Sequence, residues 1–183
     1  QSIEMSDNGD TYVVIQSNAS TFEIGSSSVN NIGDYDIYVV KIAQDGTILW
    51  LEQAGGALDD TAQTSVLTST GQLLIGGYTY SSFFSAGENS MTTRGIDGFV
   101  IGIDANGSWN RMVSIDGDGD DAVQVMAIDN SDRIYISGQF NSSLIEITES
   151  GGNDCFTYQN NNYTLWSGYV AVLNGSNCED ILT

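Results

Sequence analysis

This chain has no histidine and no proline, four basic side chains and two cysteines. Each shortage excludes something. Without histidine there is no Ser-His-Asp or Cys-His arrangement, no His-ligated zinc, and no general base of the commonest type. With a single lysine, Schiff-base chemistry would have to rest on Lys41. Lys41, Arg94, Arg111 and Arg133 stand against 24 acidic residues, for a formal charge of -20. Phosphate contacts need clustered Lys and Arg, so nucleic acid and anionic membrane surfaces are excluded as partners. No segment is long and apolar enough for membrane insertion as a helix. A carboxylate-pair, glycosidase-like enzyme needs only two acidic groups. With 24 of them, however, close pairs are expected by chance. The expectation is that the chain is not an enzyme.

What is present is repetition. Tyr35-Asp36-Ile37-Tyr38-Val39-Val40-Lys41-Ile42 is echoed by Ile96-Asp97-Gly98-Phe99-Val100-Ile101-Gly102-Ile103. A third echo is Trp166-Ser167-Gly168-Tyr169-Val170-Ala171-Val172-Leu173. A fixed spacing of this kind marks a repeat architecture. Each echo is followed by a turn dipeptide: Asp45-Gly46, Asn106-Gly107 and Asn174-Gly175. Such dipeptides supply the positive φ of tight hairpins. A Gly/Asp junction comes next, Gly55-Gly56-Ala57-Leu58-Asp59-Asp60 and then Asp116-Gly117-Asp118-Gly119-Asp120-Asp121. Further apolar runs follow, as in Leu73-Leu74-Ile75 and Ile134-Tyr135-Ile136. The runs are short, rich in Val, Ile, Tyr and Phe, and bounded by Gly, Asn, Asp and Ser, which predicts strands. The expected fold is all-β: three four-stranded antiparallel, propeller-like blades at 1–56, 57–118 and 119–183. The third carries an insertion at about 141–165. Closed propellers have typically four to eight blades, so this chain alone should not close one.

The stretch from Asp36 to Tyr78 carries a family resemblance. Its Asp-Ile-Tyr-Val-Val-Lys-Ile, Asp-Gly-Thr-Ile-Leu-Trp, Gly-Gly-Ala-Leu-Asp-Asp and Gly71-Gln72-Leu73-Leu74-Ile75-Gly76-Gly77-Tyr78 resemble the bacterial SBBP-type β-propeller repeat. The second copy keeps Asp120-Asp121 but has Arg111 in place of the Trp. The resemblance implies large secreted or cell-surface proteins and no family-wide catalytic residues. Separately, Asp7-Asn8-Gly9-Asp10-Thr11-Tyr12 is similar to part of the Asp-box of sialidase-like propellers, and is read as a hairpin turn.

Asp116, Asp118, Asp120 and Asp121 form the most site-like run. Carboxylates alternating with Gly let one loop wrap oxygen ligands around a hard cation such as Ca²⁺. The run lacks the closing Glu of an EF-hand, and an acidic linker is the competing reading. Asn18, Asn106, Asn141, Asn162 and Asn174 head Asn-X-Ser/Thr sequons and are candidate glycosylation sites. Tyr78 and Tyr80, beside Phe83 and Phe84, form one aromatic cluster that could stack on sugars; Tyr158, Tyr163 and Trp166 form another. Packing of these rings onto blade edges is the alternative. The chain opens at Gln1, as a processed mature protein or a fragment would. Taken together, these features lead us to expect a non-enzymatic structural or adhesive β-repeat protein at the cell surface or outside the cell. Its partners would be copies of itself or neighbouring blades of a larger chain, with glycans as candidate ligands.

Cys155 and Cys178 both lie in the third unit. Two lone cysteines in an acidic β protein favour a disulfide over a metal site. Closing this loop should stabilise the chain by roughly 3 kcal/mol. Unreduced mass spectrometry should find the linked peptides; two alkylatable thiols in the native protein would show that the bond is absent.

Overall fold

The computed structural model describes residues 2–149, 153–159, 167–174 and 177–179. The side chains of Cys155, Tyr158, Asn174 and Cys178 fall outside the described set. Among the described residues all regular elements are strands. The first unit comprises β1 (Ser2–Met5), β2 (Thr11–Ser17), a hairpin of β3 (Thr21–Ile24) and β4 (Ser27–Asn30), then β5 (Asp36–Ile42) and β6 (Ile48–Gly56). The second comprises β7 (Asp60–Leu67), β8 (Leu73–Thr79), a hairpin of β9 (Phe83–Ala86) and β10 (Asn89–Thr92), then β11 (Asp97–Ile103) and β12 (Trp109–Gly117). The third comprises β13 (Asp121–Ile128), β14 (Ile134–Phe140), a hairpin of β15 (Leu144–Glu149) and β16 (Asn153–Gln159), then β17 (Ser167–Asn174) and β18 (Asn177–Glu179).

All pairings are antiparallel, and each unit has a four-stranded propeller-like sheet: β1-β2-β5-β6, β7-β8-β11-β12 and β13-β14-β17-β18. The hairpins add a feature that the four-strand pattern did not contain. Hairpin β9–β10 extends the sheet of the first unit, pairing Ala86, Ser85 and Phe84 with Ala54, Gly55 and Gly56 of β6. Hairpin β15–β16 extends the sheet of the second unit, pairing Ile147, Glu146 and Ile145 with Ile115, Asp116 and Gly117 of β12. The register is the same in both. Hairpin β3–β4 occupies the equivalent place in the first unit but forms a two-stranded sheet of its own. The expected insertion in the third unit is therefore the longest of three equivalent hairpins.

One turn recurs at five strand connections. Ser6 N donates to Asp10 O (3.0 Å) and Gly9 N to Ser6 O (2.9 Å). The same two bonds recur from Ala43, Thr68, Asp104 and Asp129. The fourth residue is left-handed each time: Gly9, Gly46, Gly71, Gly107 and, without a glycine, Asp132 at φ 58°. Asp132 is held there by Ser69, whose N–H donates to its carboxylate at 2.9 Å. The Asp-box-like segment is one of these turns.

Strand β5 is buried at six of its seven positions and β11 at all seven. Both faces of these sheets need cover. Between the first and second units, Tyr12, Val14, Ile37 and Val39 pack with Phe84, Phe99 and Ile101. Between the second and third, Val66, Leu74 and Val100 pack with Val123, Ile136 and Ile145. The outer face of the first unit has only its own hairpin, Phe22, Ile24 and Val29 lying on Tyr38, Val40 and Leu51. Phe22 stacks on Tyr38 at 4.5 Å between ring centroids, as Phe84 stacks on Phe99 at 4.6 Å.

These paired stacks give an internal control. Phe84→Ala should destabilise the chain by about 3–5 kcal/mol, as expected for a fully buried ring. Phe22→Ala, in the same stack but half exposed, should cost the isolated chain clearly less. Urea unfolding of both variants measures this, and equal losses would contradict the difference in cover.

Candidate functional site

The Gly/Asp junctions build the most organised polar site. In each, the second Asp of the pair opens the first strand of a unit and is buried: Asp60 and Asp121. Their backbone N–H groups donate back to the preceding unit, Asp60 to Tyr35 O (2.6 Å) and Asp121 to Ile96 O (2.7 Å). Their carboxylates accept from the entry of the next hairpin. Asp60 takes the Thr79 hydroxyl and Gly56 N–H (2.6 Å). Asp121 takes the Ser142 hydroxyl at 2.9 and 2.8 Å. Gly56 and Gly117 are glycine because a Cβ there would lie 2.6 and 2.2 Å from the Ser81 and Ser142 hydroxyl oxygens.

A second buried carboxyl faces each of these. Asp36 opens β5 and accepts from Ile32 N (2.7 Å) and Gln53 Nε2 (2.6 Å) with one oxygen. Asp97 opens β11 and accepts from Arg94 N at 3.0 Å. The remaining oxygens, Asp36 Oδ1 and Asp97 Oδ1, are buried without a hydrogen-bond donor, as is Asp116 Oδ1. Burial pushes Asp60 up to about 6, and the neighbouring Asp36 charge adds to the rise. Burial likewise raises Asp97 to about 6, with help from Asp116. Asp121 rises to about 7, through burial and then the charges of Asp97 and Asp116. Asp36 is raised by burial as well. Like charges this close oppose one another's ionisation in a poorly hydrated place, so the junction carboxyls take up protons at a higher pH than ordinary carboxyls do.

The four residues of the acidic run have different places. Asp116 and Asp121 come together beside Asp97. Asp118 is held by Ser143, through its N–H (2.6 Å) and hydroxyl (2.7 Å). Asp120 gives its N–H to Asn141 Oδ1 at 2.6 Å. Among the described residues no three acidic or cysteine side chains are grouped to hold a metal ion. Asn141 is thus half buried at a junction, whereas Asn18, between β2 and β3, and Asn106, on a turn, are exposed. Asn162 lies outside the described residues, and Asn174 is described only as backbone of β17. Tyr78 and Tyr80 meet edge to face at 5.9 Å, and Tyr80 and Phe83 are exposed. Phe84 does not join them: it is core. Tyr163 and Trp166 lie outside the described residues, as does the side chain of Tyr158. The cysteine side chains do too, although their strands β16 and β18 approach each other.

Lys41 is buried and spans the first junction. Its Nζ lies 3.2 Å from Asp10 and donates to Ala105 O of the second unit at 3.0 Å. Burial pulls its pKa down, but Tyr12 and Asp10 more than offset this and hold it above the ordinary lysine value. Trp50 Nε1 donates to the same carbonyl at 3.2 Å. A cleft of about 440 Å³ opens beside it, lined by Tyr12, Lys41, Leu67 and Gly71 among others.

Sequence reasoning found Asp60 and Asp121 as junction residues but gave no role to Asp36, Asp97, Ser81 or Ser142. The signal was present. Asp precedes the apolar strand in the first two echoes, and a Ser-Ser-apolar entry recurs at Ser81-Ser82-Phe83 and Ser142-Ser143-Leu144.

No family model matches the chain. It is 25% identical over 154 residues to an uncharacterized WD repeat-containing protein, L264, of Acanthamoeba polyphaga mimivirus. The match takes in 79% of this chain and 11% of that protein. This distant likeness agrees with a β-propeller-like repeat and goes no further.

The raised junction carboxyls make stability depend on pH. Unfolded, these carboxyls titrate near their ordinary value, about 3.9. Folded, they titrate near 6 to 7. Their contribution is therefore complete below about pH 4 and is lost as pH rises through that higher range. A group moved this far is worth on the order of 2–4 kcal/mol. Thermal melts should show Tm falling as pH rises from about 4 to about 7, with a flatter profile for Asp60→Asn. A wild-type Tm that rises across this window would be the contrary result.

Proposed function

We propose that this chain is a non-enzymatic structural or adhesive β-repeat protein of the cell exterior, of the SBBP type. It works as a subunit of an ordered surface fibre or as a segment of a larger propeller. One observation carries the reading. The face of a unit that is buried at both internal junctions is left with only a hairpin over it in the first unit. A module with such a face is built to have a neighbour. The placement of Lys41 supports the absence of catalysis, since a lysine paired with Asp10 and kept protonated is a poor nucleophile. The junction carboxyls are likewise taken up in tying units together. Within this proposal the acidic run of Asp116, Asp118, Asp120 and Asp121 is the candidate Ca²⁺ site.

A second reading, a carbohydrate-binding propeller, is favoured by the exposed rings of Tyr80 and Phe83. A glycan array separates the two readings.

Electron microscopy and light scattering of native material test the first. Filaments, rings or a larger multi-blade particle are expected, with chelator shifting the melting temperature if Ca²⁺ is bound. A monodisperse particle of the chain's own 19.6 kDa mass would refute the reading.

A further inference from the structure

The two internal junctions share one plan. A unit presents an outward face made of its hairpin and its third and fourth strands. The preceding unit covers that face with the opposite side of its own sheet. In the second unit the outward face includes Phe84, Ala86 and Met91 of the hairpin, all buried, with Leu67 of the first strand packed against the same core. The register identifies the equivalents in the first unit. Leu67 pairs with Leu73 as Met5 pairs with Thr11, and Leu73 pairs with Ile103 as Thr11 pairs with Ile42. Met5 therefore stands where Leu67 stands. Phe22, Ile24 and Val29 stand where Phe84, Ala86 and Met91 stand. Turn glycines Gly25 and Gly87 coincide as well, with φ of 59° and 60°.

In the first unit, no other described residues cover this face. Met5 is 74% exposed and Ile3 67%, and Phe22, Ile24 and Val29 are half-buried. The edge of β3 is also unpaired, where β9 and β15 each pair with a preceding fourth strand.

The complementary side is present at the other end of the molecule. In the second unit the covering side includes Val66, Leu74 and Thr64, whose hydroxyl accepts from Met126 N at 3.2 Å. Val66 pairs with Leu74 as Ala127 pairs with Tyr135, and Thr64 pairs with Gly76 as Val125 pairs with Ser137. The third unit thus offers Val125, Ala127 and Tyr135 in the same positions. Val125 is 59% exposed and Ala127 is exposed too. β18 is an edge strand of its sheet.

We infer that a second copy of this chain docks head to tail, the hairpin face of its first unit covering the Val125–Ala127–Tyr135 face of the third unit. The contact repeats the junction that the chain already makes twice within itself, which is the reason for committing to a copy. The inference rests on the reading of the chain as an assembling β-repeat and gives that assembly its surface and polarity. The interface is heterologous, so growth continues until a ring closes or a filament forms. Each copy carries a formal charge of -20, so association should strengthen with ionic strength as the repulsion is screened.

The test uses two full-length variants altered at exposed positions, Met5→Lys and Val125→Lys, with sedimentation velocity at matched concentration and salt. Wild type should form large species. Each variant alone should be monomeric, with circular dichroism and melts like wild type. Mixed in equal amounts, they should give a species of twice the chain's mass and nothing larger. In that species the intact tail of Met5→Lys receives the intact head of Val125→Lys, and the other two ends are blocked. If wild type assembles but both variants assemble equally well alone, the surface assigned here is wrong and the assembling reading stands. If wild type stays monomeric at all salt concentrations, self-docking is wrong, and the segment-of-a-larger-propeller reading remains to be judged on the native material.

Discussion

A short antiparallel sheet with apolar side chains on both faces cannot be stable on its own, and everything else in this molecule follows from that constraint. The strands β5 and β11 are apolar almost throughout and buried at nearly every position. Such a strand needs one neighbour in front and another behind. The units stack because of it, and the two internal cores are interfaces between units rather than the interior of any one of them. The hairpins add a second tie, since each of the later two completes a sheet to which it does not belong in sequence.

The polar chemistry of the junctions answers a problem the stacking creates. Where one unit hands over to the next, the backbone leaves a sheet and must bond to something. Asp60 and Asp121 supply acceptors to the hairpin entry while their N–H groups reach back to the unit before. Carboxylates serve well here because each offers several acceptor sites, but a buried pair of them carries a charge penalty. Their raised pKa values let them shed that charge on mild acidification. The acidic residues thus fall into two populations: exposed ones such as Asp45 and Asp118, held below their ordinary pKa by local donors, and junction ones held above it by burial.

The fold was largely legible in the sequence, because echoes such as Tyr35–Ile42 and Ile96–Ile103 and the left-handed turn residues are local signals. The hairpins were not. β4, β9 and β10 have four residues each, with Ser and Asn among them, and read as loops. Their identity comes from pairing across a unit boundary, which no window of sequence displays. Phe84 read as an exposed ring for the same reason. The carboxyl pairs were half visible: Asp59-Asp60 and Asp120-Asp121 marked the junction, but Asp36 and Asp97, some two dozen residues earlier in each case, looked like polar residues ahead of a strand. Their burial follows from stacking, and stacking is a property of the assembled units.

The direction in which the hairpins are given has a consequence for biosynthesis. Hairpin β9–β10 completes the sheet of the unit before it, not its own. A chain emerging from the ribosome therefore cannot finish its first sheet at Gly56; it must wait until Thr92 has appeared. The second sheet waits in the same way for Gln159. Until then each unit shows an unpaired edge and an uncovered face to whatever is nearby. The dense negative charge of the chain is well suited to that interval, since nascent neighbours carrying the same sign repel one another before the next hairpin arrives.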